Sequence, residues 1–237
     1  DIHSIDYMKY WFLIGENDNV FVWKKLGEMF KKGKIIPQDV NKAIYYYQLA
    51  ADNDDIDAQY NLGKLYFRKK YGIVNIDEAI KYFTIAADKG KSQAQYYLGE
   101  IYETDEFDKK DINKAIYYLK KAAEQNDDNA QNFLGTIYEY DFQNINEALY
   151  YYKLAAEQGN QYALLNLGEV YKEGELVDCD IELSIHYYKM AADQNNSKAQ
   201  YNLGMIYLDD DYGVQNILKS IHYFSLASNQ SDKYSQY

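Results

Sequence analysis

The residue types that carry most protein chemistry are sparse in this chain. It holds three histidines and a single cysteine in 237 residues. Cys179 stands on a loop beside Asp180, and no Cys-His pairing with a third orienting group is visible, as an activated nucleophile would need. His186 and His222 occupy one repeat position, shared with Tyr45, Lys81, Tyr117 and Tyr150. No cysteine or carboxylate recurs there to complete a convergent ligand set, so both read as exposed helix residues. His3 lies at the extreme N-terminus. Asp209-Asp210-Asp211 lacks the alternating oxygens, glycine and bidentate glutamate of a calcium loop, and reads as a solvated turn. No glycine-rich phosphate loop occurs. The sequence therefore offers no catalytic residue, cofactor site or metal site, and is expected to be non-enzymatic. Tyrosine is the abundant functional side chain, with 29 copies.

Composition narrows the partners. A formal net charge of −12 argues against nucleic acid, which usually meets a basic face, and against an anionic membrane surface. No apolar run is long enough to insert in a bilayer. One cysteine rules out an internal disulfide and favours a reducing, cytoplasmic setting. The chain begins without Met and reads as a piece of a longer protein, with any targeting segment outside it. The sequons at Asn195 and Asn229 read as chance matches.

The elements that must position any binding residues are set by an internal repeat. Leu-Gly recurs at Leu26-Gly27, Leu62-Gly63, Leu98-Gly99, Leu134-Gly135, Leu167-Gly168 and Leu203-Gly204. A period of this size marks stacked supersecondary units. Ala58, Leu62, Gly63 and Tyr66 fall on one face of a first helix. Glycine there costs about 1 kcal/mol relative to alanine, so its recurrence implies a neighbouring helix too close for a Cβ. A second helix starts at an N-cap: Asp39, Asn75, Asp111, Asn144, Asp180 or Asn216. It carries a small residue, a tyrosine and an Ala pair, as in Ala79, Tyr82 and Ala86-Ala87. It ends near Asp54, Gly90, Asn126, Gly159, Asn195 or Ser231, where left-handed backbone is expected. The repeats are placed at 21–54, 57–90, 93–126, 129–159, 162–195 and 198–231. Residues 1–16 read as a half-repeat helix, and 232–237 as the start of a further repeat.

These columns, Ala-x-x-x-Leu-Gly-x-x-Tyr followed by Asp/Asn-x-x-x-Ala-x-x-Tyr-Tyr-x-x-Ala-Ala, resemble the Sel-1-like repeat family, a relative of the tetratricopeptide repeats. The resemblance covers residues 21 to 230. It implies an all-α, right-handed α/α superhelical solenoid of about six helix pairs, with first helices lining the concave side. It also implies a non-catalytic scaffold or adaptor that binds a protein or peptide partner. The alternative is a regulatory repeat segment of a larger enzyme or of a ubiquitin ligase-type quality-control complex. Family members with a disulfide in each repeat are poor analogues, since only Cys179 is present.

By analogy with tetratricopeptide repeats, the column two residues before each Leu should face the groove: Lys24, Tyr60, Tyr96, Asn132, Leu165 and Tyr201. The column two residues after it should share that side: Glu28, Lys64, Glu100, Thr136, Glu169 and Met205. Tyrosines in the repeated columns read as packing. Those outside them read as better binding candidates, because tyrosine offers large contact area at low entropic cost.

Overall fold

The computed structural model describes residues 19–34, 36–174 and 177–234, with backbone alone for residues 230–234. The half-repeat expected at 1–16, His3 and the restart expected at Ser235 lie outside the described residues. Twelve α-helices and no strand occur among those described. They are α1 (Val20–Lys32), α2 (Val40–Asp52), α3 (Ile56–Phe67), α4 (Ile76–Asp88), α5 (Ser92–Glu103), α6 (Ile112–Ala123), α7 (Asp128–Tyr140), α8 (Ile145–Glu157), α9 (Gln161–Glu173), α10 (Ile181–Asp193), α11 (Ser197–Leu208) and α12 (Ile217–Tyr234). A short 3-10 turn spans Lys69–Tyr71. Each odd-numbered helix packs on the even-numbered helix after it, and this makes a helical-repeat solenoid. The chain divides into two compact units at Gln125 and Asn126.

Local chemistry explains the boundaries. The side chains of Asp39, Asn75, Asp111, Asn144, Asp180 and Asn216 each accept a backbone N–H from the first turn of the second helix. Left-handed backbone follows the second helices at Asp54, Gly90, Asn126, Gly159 and Asn195. The end expected near Ser231 is absent: α12 runs on to Tyr234. No glycine or asparagine follows Asn229 to take a left-handed conformation, so nothing local stops the helix.

The recurrent glycine has a specific cause. A Cβ on Gly63 would meet the Phe83 ring at 2.5 Å, and one on Gly168 the Tyr188 ring at 2.6 Å. Tyr47, Leu119, Tyr152 and Phe224 take the same place over Gly27, Gly99, Gly135 and Gly204. The close neighbour is thus a side chain of the second helix laid flat on the first. Alanine at 43, 79, 115 and 148 completes the contact. Where serine replaces it, Ser184 and Ser220 donate their hydroxyls to the carbonyls of Gly168 and Gly204. Every repeat adds a stacked aromatic pair, from Phe30 on Tyr46 to Tyr207 on Tyr223.

Successive repeats are tied by a buried glutamine. The amides of Gln59, Gln95 and Gln200 donate to the carbonyls of Ala51, Ala87 and Ala192 at the end of the preceding second helix. In the fifth repeat the buried Leu164 stands in this position.

Candidate functional site

The constant columns are consumed by packing, so variation concentrates on the outer face of the first helices. In the N-terminal unit that face runs over α1, α3 and α5. Lys24 is held by Asp55 at 2.9 Å and Asp57 at 3.3 Å, and Asp57 also binds Lys91 at 2.8 Å. Lys91 and Lys64 both lie over the Tyr60 ring, at 5.6 and 5.2 Å from its centroid. Such cation–aromatic contacts hold each ammonium over a ring whose face is negative. Glu28 pairs with Lys32 at 2.6 Å, which lowers its pKa. Tyr96 and Glu100 are half-buried, and burial raises the Glu100 pKa against the pull of Arg68. A cleft of about 350 Å³ opens here between Phe67, Arg68, Glu100 and Phe107.

Residues outside the two expected columns add to this face. Lys31 donates to Asn61 Oδ1 at 2.6 Å, and its ammonium lies 5.3 Å from the centre of the Tyr47 ring. Burial and the nearby Lys64 lower its pKa to about 8. Arg68 donates to the Tyr97 hydroxyl at 2.6 Å. These residues lie one or more positions beyond the two expected columns, yet i, i+3 and i+4 spacing puts them on the same helix face. That spacing is the signal that could have found them.

In the C-terminal unit the face runs over α7, α9 and α11, and its chemistry differs. Asn166 donates to Asn132 Oδ1 at 3.1 Å. Thr136 is half-buried and donates to its own helix at Asn132 O. The Tyr152 hydroxyl donates to Glu139 at 2.6 Å. Burial raises the pKa of Glu139 and of Glu169, and nearby Glu173 adds repulsion to both. Leu165 does not reach the surface: it is only 6% exposed, packed in the core of this unit. Tyr201 and Met205 are exposed, and Tyr201 borders a cavity of about 560 Å³ walled by Glu169, Lys198, Asn202 and Phe224.

The tyrosines sort differently from the expectation. Tyr97, outside the repeated columns, is buried and stacked on Phe83 at 5.0 Å. Tyr45, Tyr117 and Tyr150, also outside them, are exposed on the second helices. His186 and His222 are exposed, each edge-on to the tyrosine that follows it. Cys179 is exposed, and its thiol donates to the Lys172 carbonyl. The Asp209, Asp210 and Asp211 carboxylates lie within 4.8 Å of one another on a turn. No described helix is long and apolar enough to cross a membrane.

Solved structures share this architecture. A Sel1 repeat protein from Oxalobacter formigenes is 30% identical, with a TM-score of 0.77 over 90% of this chain and 89% of that one. A protective antigen of uropathogenic Escherichia coli, displaying an SLR fold, is 28% identical with a TM-score of 0.80. The match covers 97% of this chain but spans only 50% of the antigen's length. An immunity protein from Pseudomonas aeruginosa, 19% identical over 89% of this chain and 81% of its own with a TM-score of 0.56, shares the fold. No curated protein matches the chain. The Sel1 repeat itself matches at residues 25–55, 56–91, 92–127, 128–160, 161–196 and 197–232. With six consecutive matches over most of its length, and the packing that makes each one cohere, the chain belongs to the Sel1 repeat family.

Proposed function

We propose that this chain is a non-catalytic adaptor that holds a peptide or protein partner along the concave side formed by its first helices. Sel1 repeats are commonly used for protein–protein interaction and are typically scaffolds without catalysis. One observation carries the reading. Within each unit the repeated columns are buried, while the columns flanking each Leu-Gly present tyrosine, lysine, glutamate and asparagine at half-buried to exposed positions. Leu165 is the exception, and contributes shape from below. Solenoids bind through such extended faces. The net charge of −12 speaks against nucleic acid, and the lone cysteine fits a reducing, cytoplasmic setting.

Replacing Tyr60, Tyr96 and Tyr201 together by Ala tests the assignment. Binding of a captured partner should weaken by roughly ten-fold or more while far-ultraviolet circular dichroism stays helical. Unchanged affinity in a folded variant would remove the first-helix face as the partner surface.

A further inference from the structure

Lys31 and Lys64 share one feature on the N-terminal unit. Neither has a carboxylate within 4.0 Å among the described residues, although the chain as a whole is strongly acidic. Lys31 closes the last turn of α1 and Lys64 stands on α3. Lys31 feels the charge of Lys64. The surroundings of Lys31 are cationic on balance. Lys32 on its own helix, Lys64 on α3 and Lys70 in the 3-10 turn repel it, and Glu28 attracts it. Glu28 is already committed to Lys32.

Beneath Lys31 lies the Tyr47 ring, and Glu28 and Tyr71 act on the ring's hydroxyl. It is buried, and it has no hydrogen-bond partner. An unpaired buried hydroxyl is costly, and most native structures avoid one. The equivalent hydroxyl of Tyr152 shows what is missing, because it donates to the Glu139 carboxylate. In the first repeat the residue matching Glu139 is Lys31, a donor itself. Two ammonium groups and one phenol thus stand together, while Asn61 takes a proton of Lys31 and the nearby Glu28 carboxylate is shared between Lys25 and Lys32.

We propose that Lys31, Lys64 and the Tyr47 hydroxyl form an anion site that takes a carboxylate side chain from an extended acidic peptide. This rests on the reading of the first-helix face as the partner surface. A carboxylate would pair both ammonium groups. By drawing the flexible Lys31 tail outward, it would also give the Tyr47 hydroxyl its acceptor. A dianion such as phosphate fits less well, because Lys31 lies at the C-terminal end of α1, where the helix dipole is negative. The charge on Lys31 is held cheaply only when an anion is present. Affinity should therefore fall as pH rises through about 8, where the free lysine loses its proton.

The test follows Lys31 by lysine-selective nuclear magnetic resonance in the whole chain. The probes are an acetylated hexaglutamate amide, a neutral hexaglutamine control and inorganic phosphate. Hexaglutamate should raise the Lys31 pKa by about one unit or more, and hexaglutamine should leave it unmoved. Lys31→Met should weaken hexaglutamate binding by roughly ten-fold. Tyr47→Phe should weaken it by about three-fold with helicity intact, since phenylalanine already fills this column at Phe83 and Phe224.

The site is wrong if hexaglutamate leaves Lys31 unmoved or binds Lys31→Met as tightly as the parent. A shift produced by phosphate and not by hexaglutamate overturns the peptide carboxylate in favour of a free anion. The two readings separate cleanly. If the tyrosine triple variant loses its partner while hexaglutamate ignores Lys31, the anion site falls and the groove stands. The reverse pattern removes the groove and leaves the site.

Discussion

The two units use one scaffold to present opposite charge. On α1 and α3 the first-helix face gathers Lys31, Lys64 and Arg68 around tyrosine rings, beside Lys24 held by Asp55 and Asp57. On α7 and α9 the corresponding face gathers Glu139, Glu169 and Glu173 among asparagines. Burial penalises the charge in both places, lowering the Lys31 pKa in one unit and raising those of Glu139 and Glu169 in the other. Solvent is partly excluded from each face, whatever its sign. The difference lies only in which charge has been placed there, and that is a property of the variable positions and not of the repeat.

If the scaffold is shared, damage to it should be equal in the two units. Gly63→Ala and Gly168→Ala each force a Cβ against an aromatic ring closer than 3 Å. Each should destabilise its unit by about 1–3 kcal/mol in urea denaturation. A loss at one site with none at the other would show that the two units do not pack alike.

The tyrosines laid over the glycines divide more finely. Tyr152→Phe removes the donor to Glu139 and should cost about 1–2 kcal/mol, because the half-buried carboxylate loses its partner. Tyr188→Phe removes a hydroxyl that has only the looser approach of Asn202 and no carboxylate, and should cost less than Tyr152→Phe, within about 0.5 kcal/mol of neutral. Thermal unfolding of the two variants checks the difference in size.

The smallest effects concern pH, and they should run in opposite directions. In the folded state Lys31 titrates near 8, below the ordinary lysine value of 10.5. Holding its proton therefore destabilises the fold below pH 8, and the penalty fades as pH rises from 8 towards 10.5. Lys31→Met should stabilise the chain by about 1 kcal/mol at pH 7, after allowance for solvent screening, and lose that advantage by about pH 10.5. Glu169 is the mirror case. Its folded pKa is raised, so its charge destabilises at neutral pH and the penalty disappears as acid protonates it. Glu169→Gln should stabilise by a few tenths of a kcal/mol at pH 7 and by nothing below about pH 4. Parallel denaturation series on the two variants would expose slopes of the same sign, if the comparison is wrong.

Much of this was legible in the residues. Repetition made the Leu-Gly column, the Asp and Asn caps and the left-handed termini visible, because each answers a local demand that recurs in every unit. The reason for the glycine was half legible: a close neighbour was implied, but not that a ring such as Phe83 would supply it. The candidate face was less legible. Lys31 to Asn61 and Arg68 to Tyr97 pair across about thirty residues, a register fixed only when first helices lie side by side. Leu165 sits in a column expected to be open and is buried, because its apolar side chain finds the core within reach. Nothing periodic in the sequence separates it from Tyr201 in the same column, which is 53% exposed.

The glutamine tie between repeats has a mechanical consequence. Gln59, Gln95 and Gln200 each fasten a first helix to the carbonyl end of the helix before it. At the junction of α8 and α9 the fastener is replaced by Leu164, which adheres by burial alone. Hydrogen bonds are directional and short in reach, whereas apolar contact resists sliding weakly. Pulled from its ends, the C-terminal unit has no glutamine to hold that seam, and the load there falls on the Asn166–Asn132 and Asn160–Asp128 bonds between α9 and α7, the first polar links that should break.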